Sequence, residues 1–559
     1  MQKDHRDVVL LVQADPWRGS ALAERLKEQF HDNYLVLREA SRAEAERALV
    51  AAAESGRRIA AVIADEDLPD GSGRELLRAA VVDAALPEAS RLLLTVGAPD
   101  AGGAAGGLRL LPLSPADEDL WPVVEEMLFE SAGPDAVKVV VNGDRRKKEV
   151  FRVLRFLQLN SILYKLEEPK SGCTVAVTVD GTELHDPKLI ELAHRLKLVR
   201  HSGRTAYDLI VVGGGPAGLS AAVNAAALFL DNVLVIENVA PGGAAGTASN
   251  LIDNYLGFPD GVKADELAQR AMRQALNRKI DWMPAHAATE LEQFVLPGVT
   301  LPIWYRVTVK TDDGKSASYT APVVVAACGV APRRQGGTDE ARFEGQGVYY
   351  TALPSDAGTV KKGDKIAVVG AGDSAGRAAL MFAKAGANVT MIIRNTLAKD
   401  MLPRLVKQIK EEKLITVLEH TNISEYKGGA DNQLAGVVVK PGNKKLDVTA
   451  VYVLIGADPD TAWLEKAGVQ VKRRRDTDKT GYVATDTDVK VKAGEKTPPA
   501  LATSLPGVFA AGDVRYRGVR RISMAAGEGS SAALSVHNYL KDYPGVPFAH
   551  DDVLSGYYA

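Results

Sequence analysis

Two stretches of this chain constrain its fold more than anything else in the sequence. Residues 207–224 read YDLIVVGGGPAGLSAAVN, an apolar strand that runs into Gly213-x-Gly215-x-x-Gly218 and on into an alanine-rich helix. In such a turn the first glycine makes the bend, the second lets backbone approach a pyrophosphate, and the third packs helix on strand. Pro216 and Ala217 open the helix, whose positive end faces the phosphates. The next strand, VLVIE, ends in Glu237, where a carboxylate can hold an adenosine ribose. The unit recurs at Lys365 as KIAVVGAGDSAGRAALMFAKAGANVTMIIR, with Gly370-x-Gly372-x-x-Ala375 as the turn and Asp373 and Ser374 inside it. No acid ends this second strand. Arg394 stands there instead, and a cation suits a 2′-phosphate better than a bare hydroxyl. Two dinucleotide turns imply two dinucleotides, and electron transfer between them is the economical reason for holding both.

Composition narrows the chemistry. Lys and Arg total 68 against 71 Asp and Glu, a net charge of -3, so neither nucleic acid nor an anionic membrane is an expected partner. The two cysteines, Cys173 and Cys328, form no C-x-x-C and cannot build a disulfide framework, a zinc site or an iron–sulfur cluster. The 9 histidines include no H-x-x-x-H or H-E-x-x-H, so no metal site is expected, and His537 is read as structural. The apolar run near the N-terminus is too short for a signal peptide, and no stretch approaches a membrane span. A soluble, cytoplasmic protein is expected. At roughly 100–200 residues per domain the length predicts three to five domains.

The texture changes twice. Residues 7–130 alternate apolar runs (VVLLV, AAVIA, RLLLTV, LRLLPL) with Ala-, Leu- and Glu-rich stretches, a βα repeat with a parallel sheet. SAGPD (131–135) reads as a linker and APDAGGAAGG (98–107) as a loop. Residues 137–198 read as strand VKVVVNG, a basic amphipathic helix from Arg145 to Asn160, strand SILYKLE, strand CTVAVTVDGTEL and helix PKLIELAHRLK. RHSGRT (200–205) is a second linker.

With both turns in place, residues 206–545 resemble the thioredoxin-reductase-like flavoproteins of the two-dinucleotide-domain disulfide reductases. PGGAAGTASNLIDNYLGFP (241–259) resembles their flavin-contacting segment, with Gly242, Gly243, Asn254 and Tyr255 in place. VVVAACGVAPRR (323–334) resembles the crossover between flavin and nicotinamide domains. GVFAAGDVRYRGVRRISMAAGEGSSAA (507–533) resembles the second FAD signature. The resemblance implies that Asp513, after Gly512, binds the ribityl chain. It also implies that Arg521, Ile522 and Ser523 meet the flavin where a helix points its N-terminus at the ring. FAD and NADPH, with NADH as the alternative to NADPH, are the implied cofactors, and a homodimer the implied assembly.

The departures carry equal weight. The family's redox C-x-x-C precedes the nicotinamide turn, but VYYTALPSDAG places Thr351 and Pro354 there, and neither can carry a disulfide. The arginine pair that reads NADPH is reduced to Arg394 followed by Asn395, and Arg377 occupies a place that is often Glu. No catalytic side chain is therefore proposed, and the flavin carries the chemistry. Cys328, in the long apolar strand APVVVAACG, is expected buried and inert.

Residues 7–130 resemble the receiver domain of response regulators. Asp65 to Gly73 (DEDLPDGSG) matches the phospho-acceptor loop with Asp65 as acceptor by position, and Thr95 matches the phosphate-sensing hydroxyl. The acidic pair that would hold Mg²⁺ is Gln13-Ala14, and the lysine before the last helix is replaced by Leu113-Ser114. A non-phosphorylatable docking or dimerisation domain is the reading, with a phospho-switch the alternative. Residues 137–199 resemble a thioredoxin/glutaredoxin-like fold, but the redox helix start reads Asp144-Arg145-Arg146-Lys147 and Cys173-Thr174 stands near the place of the cis-proline. Cys173 is expected to be an edge-strand residue. Arg145 to Lys148 is read as a solvated helix face, or as a dock for an acidic protein.

The expected fold is α/β multidomain: a flavodoxin-like receiver (1–132), a thioredoxin-like domain (137–200), and two Rossmann-type domains. The FAD domain (206–325 and 456–545) is split by the NAD(P) domain (326–455). A tail (546–559) carries Tyr557-Tyr558, which either pack on a neighbouring domain or subunit or stack over the flavin. The expected function is hydride transfer from NAD(P)H to flavin, then to an acceptor other than an internal disulfide: a ferredoxin- or flavodoxin-like protein, a quinone or other small molecule, or dioxygen. The alternatives are a disulfide reductase borrowing partner thiols and a flavin-based redox sensor.

Overall fold

The computed structural model describes residues 7–15, 34–55, 57–83, 91–95, 109–112, 124, 139–228, 230–247, 252–259, 261–294, 303–399, 401–429, 433–474, 480–494 and 496–541. The expectations for SAGPD, the loop at 98–107, Leu113-Ser114 and the Tyr557-Tyr558 tail lie outside these residues. The chain divides into two compact units, one of residues 1–142, 162–168 and 177–184 and one of 143–161, 169–176 and 185–559.

The first unit carries a five-stranded sheet in the order Tyr34–Glu39, Asp7–Val12, Ile59–Asp65, Arg91–Thr95, Arg109–Pro112, every pair of it parallel. Numbered along the chain this is 2-1-3-4-5, a doubly wound order. Ile59–Asp65 is buried at every position, as a parallel strand covered on both faces must be. The helix Arg42–Glu54 starts cleanly because the Ser41 side chain accepts the Glu44 N–H. A separate four-stranded sheet has the order Thr182–His185, Val175–Val179, Val139–Gly143, Tyr164–Glu167.

Three local expectations are corrected. CTVAVTVDGTEL is two strands rather than one, because Asp180 (φ 47°) and Gly181 (φ 77°) make a two-residue turn with both φ positive. Cys173 precedes the first of them and is not a strand residue. The basic helix runs Lys148–Leu159. Asp144 accepts both the backbone N–H and the guanidinium of Arg146, which holds Arg145 and Arg146 in a turn before the helix rather than on its face.

The second unit repeats one architecture. A parallel sheet in the order Asp281–Met283, Val233–Ile236, Leu209–Val212, Val324–Ala326, Val508–Ala510 is accompanied by the antiparallel sheet Ala287–Phe294, Trp304–Lys310, Ser316–Ala321. The parallel sheet Val348–Tyr349, Ala450–Val453, Lys365–Val369, Asn388–Ile392, Ile415–Leu418 is accompanied by the antiparallel sheet Asn422–Gly428, Leu434–Lys440, Lys444–Asp447. In each, the strand before the glycine turn is central and apolar on both faces, so each parallel sheet separates two hydrophobic clusters. The chain passes between the two bodies twice, and the crossings pair as Ala331–Pro332 with Ala457–Asp458. The helix Ile522–Lys541 returns to pack along Pro216–Ala227. Gly529 allows this, since a Cβ there would lie 2.1 Å from Ala217 O. Among the described residues no helix is long and apolar enough to cross a membrane.

Candidate functional site

The first glycine turn is shaped by its neighbours. Gly213 has φ +112°, and a Cβ there would stand 2.3 Å from Ala327 O; at Gly218 it would stand 1.8 Å from Gly213 O. Those two glycines close the turn. Gly215 is different: a Cβ would meet nothing nearer than Gly243 Cα at 4.0 Å. It is the N-cap of a 12-residue helix and supplies no side-chain cap, so backbone donors at the positive helix end face outward. Gly243 and Gly512 converge on the same turn, the first against Gly215 and the second with its Cβ position 2.8 Å from Ala217 Cβ. A dinucleotide pyrophosphate fits this bare backbone.

Glu237 directly follows the strand Val233–Ile236. It accepts the Gly214 N–H at 2.6 Å and the Val239 N–H at 2.9 Å. Burial raises its carboxyl pKa, and those amides oppose the rise. Asp513 is half-buried beyond Gly512; burial raises its pKa, while the charges of Arg520 and Arg474 lower it. Arg521 and Ser523 are exposed at the start of the last helix, and Ile522 packs on Ile252 and Val262, joining the 252–264 segment to that helix. Asn254 is exposed, and no hydrogen bond among the described residues draws it to the turn.

Two partners escaped the sequence reading. Glu528 accepts the Gly512 N–H at 2.7 Å and pairs with Arg515 at 2.7 Å, and Trp282 packs beneath Gly214, 2.4 Å from where its Cβ would be. The glutamate in GEGS was a usable signal, because an acid inside an otherwise small-residue helix needs a partner. Nothing marked Trp282.

At the second turn Gly370 (φ +139°) has its Cβ position 2.3 Å from Leu454 O, Ala375 is fully buried, and Gly372 is open, with nothing within 4 Å. Gly372 caps the helix Asp373–Lys384 without a side-chain bond. Asp373 accepts the Leu402 N–H at 2.9 Å, and Ser374 is exposed. Arg394 follows the strand Asn388–Ile392, exposed and without an ion pair among the described residues. Thr351 precedes the short helix Pro354–Ala357, in which Asp356 accepts the Leu353 N–H at 2.8 Å.

Both thiols are free. Cys328 follows the strand Val324–Ala326 rather than lying in it and is half-buried, not fully buried as expected. Its Sγ faces Asp460 O at 3.7 Å, and burial pushes the thiol up to about 12. In the first unit Gln13, fully buried, donates Nε2–H to Asp65 Oδ1 at 3.1 Å. Among the described residues no cluster of three or more His, Cys, Asp or Glu is placed to hold a metal ion.

His286 lies beside Glu237, donating its N–H to Glu237 O at 3.0 Å. Its Nδ1 faces Pro284 O at 2.8 Å. Burial lowers its pKa, so the unfolded chain binds the proton more readily. Its contribution to stability is present above the unfolded value of about 6.5 and is lost as pH falls from there toward the folded value. Urea midpoints measured from pH 7.5 to 5 are expected to fall less steeply in His286→Gln than in the parent.

Residues 207–529 match the family described as "Pyridine nucleotide-disulphide oxidoreductase". A thioredoxin reductase of Mycolicibacterium smegmatis is 33% identical over 346 residues, 61% of this chain and 99% of that one. The NADPH-dependent thioredoxin reductase 3 of Arabidopsis thaliana is 29% identical over 348 residues, 60% of this chain and 59% of its own length. The solved thioredoxin reductase of Lactococcus lactis (FR conformation) covers 60% of this chain and 99% of its own at 22% identity and TM-score 0.49. Residues 207–529 thus form a thioredoxin-reductase-like domain, and the chain belongs to the pyridine nucleotide-disulphide oxidoreductases.

Proposed function

We propose that the chain takes hydride from NADPH and passes electrons to an acceptor other than a disulfide of its own: a ferredoxin- or flavodoxin-like protein, a quinone or other small molecule, or dioxygen. FAD and NADPH are the cofactors of the family, and the bound flavin supplies hydride acceptance and onward transfer. The single observation that carries the reading is the segment Thr351–Asp356, which has no thiol and ends in a carboxylate committed to its own backbone and to Arg155. Around the flavin, Gly213 to Gly218 and Gly243 hold the pyrophosphate, Glu237 the ribose edge and Asp513 the ribityl chain. Gly370 to Ala375 and Arg394 hold NADPH. A chain of this kind is read as a cytoplasmic homodimer.

Anaerobic NADPH should bleach the yellow protein, and turnover should follow with ferricyanide but not with thioredoxin or an aromatic disulfide. The second reading, disulfide reduction through partner thiols, is favoured by the relatives' names. Thioredoxin-dependent turnover would establish it instead. Colour without bleaching would favour a flavin sensor.

The N-terminal residues 1–132 are read as a pseudo-receiver and 137–200 as a thioredoxin-like module without its cysteines. The 2-1-3-4-5 sheet supports the first, and so does the Gln13 amide bonded to Asp65 in place of a carboxylate that could hold Mg²⁺. Incubation with acetyl phosphate and Mg²⁺, read by intact mass, is expected to add no phosphoryl group. Stoichiometric labelling that disappears in Asp65→Asn would overturn the pseudo-receiver.

A further inference from the structure

The helix Lys148–Leu159 touches both dinucleotide-binding bodies. Toward the body built on Lys365–Val369, Phe151 packs against Tyr349 with ring centroids 4.7 Å apart and the rings tilted by 41°. Arg155 donates to both Asp356 oxygens at 3.1 Å. Gly345, with φ +74°, allows this approach, because a Cβ there would stand 3.3 Å from Lys148 and Phe151. Toward the body built on Leu209–Val212, Arg152 pairs with Asp312 at 3.3 Å. The same Asp312 carboxylate accepts the N–H groups of Leu189 and Ile190. Just beyond the helix, Asn160 donates to Val239 O at 3.4 Å.

The covalent links between those bodies are slight: strands two residues long, Ala331–Pro332 on Ala457–Asp458, joined further by Arg333 to Asp458. A ribbon this short is a hinge unless something else spans it. The Arg155–Asp356 pair is a poor choice for stability alone. Its side chains are only 11% and 12% exposed, and Arg155 Nε and Nη1 are buried without a hydrogen-bond partner. Such a pair costs desolvation that an apolar contact would avoid, and its recognised use is to select one arrangement.

We propose that the Lys148–Leu159 helix is a brace that sets the flavin and nicotinamide bodies relative to one another. Arg155 is then a positioning residue for NADPH-to-flavin transfer. The inference rests on the family's cofactors but not on which acceptor follows. It gives the second module, stripped of redox residues, a mechanical role, since the helix that bears no cysteine contacts the bodies on both sides of the hinge.

The test uses the full-length, FAD-loaded protein and three variants. Arg155→Met removes the charge and keeps the stem, Arg155→Lys keeps a cation, and Asp356→Asn keeps an oxygen for the Leu353 N–H. Hydrogen exchange at the Arg333 amide, which donates to Gly456 O at 2.9 Å, is expected to rise at least tenfold in Arg155→Met and Asp356→Asn. Arg155→Lys should partly restore it. The limiting rate of flavin reduction should change at least threefold in the same two variants, with NADPH Kd within twofold of the parent. A fall marks the braced arrangement as the productive one, and a rise marks it as a resting one. Parental exchange, or raised exchange with a parental reduction rate, in folded FAD-replete protein would overturn the proposal. Because exchange is read without NADPH or an acceptor, it stands or falls apart from the electron-transfer reading. If Arg155→Met does not fold, Asp356→Asn carries the test alone.

Discussion

Gly215→Leu is expected to purify colourless, with an FAD content below roughly a tenth of the parent. The reason is where the new side chain would go. Gly215 has clear space at its Cβ position and only Gly243 opposite, so a Cβ there does not collide with the fold. It fills the face of the helix N-terminus where a pyrophosphate would rest. Each charge-assisted bond lost there is worth about 1.5–3 kcal/mol, so losing two is roughly a hundredfold or more in affinity. Gly218→Ala serves as the contrast. Its Cβ would sit 1.8 Å from Gly213 O, so that variant should lose helical circular dichroism along with its colour. Gly215→Leu should keep its far-ultraviolet spectrum and lose only the flavin absorption band. A Gly215→Leu protein that purifies fully yellow would mean that this turn does not hold the flavin.

The contrast between those two glycines shows what a sequence carries and what it leaves out. The spacing Gly213-x-Gly215-x-x-Gly218 was legible because the physical demands on a phosphate turn are local: a bend, a bare backbone, a tight helix contact. The flanking strands were legible for a related reason, since a parallel strand buried on both faces reads as an unbroken apolar run. Which glycine is open and which is closed depends on how the Gly213 carbonyl and Gly243 are placed around them, and no periodicity reports that placement. The same limit applies to Arg155. On the helix it is one basic residue among several, and only a carboxylate 201 residues away gives it a role. Helix ends failed for the opposite reason. Arg145 and Arg146 suit a turn as well as a helix, and the Asp144 hydrogen bonds decide between them. Cys328 was expected inside its strand because APVVVAACG is uniformly apolar, but the strand stops at Ala326, where pairing with Val508–Ala510 stops.

Arg394→Ala is expected to weaken NADPH binding by roughly tenfold to a hundredfold and to leave NADH unchanged within about twofold, the range of one charge-assisted contact to a phosphate. Arg394 is exposed one residue beyond Ile393, at the end of the strand after the second glycine turn, and makes no ion pair among the described residues. A guanidinium with no ion pair among the described residues keeps its donors for a ligand. Were it committed to a carboxylate nearby, replacing it would disturb the fold as much as the cofactor. The neighbouring Asn395 uses its backbone carbonyl to accept the His420 N–H, which fixes the loop without calling on the Arg394 side chain. On the proposed reading the Gly370 turn and the open Gly372 meet the pyrophosphate that both nucleotides share, apart from this contact. Gly372→Leu should therefore weaken NADPH and NADH together, while Arg394→Ala should separate them. The comparison needs only anaerobic titrations of flavin reduction with each nucleotide, because the ratio of the two Kd values cancels any general loss of stability. Equal weakening of NADH and NADPH in Arg394→Ala would place the arginine in the fold or at the pyrophosphate, and discrimination between the nucleotides would then rest elsewhere.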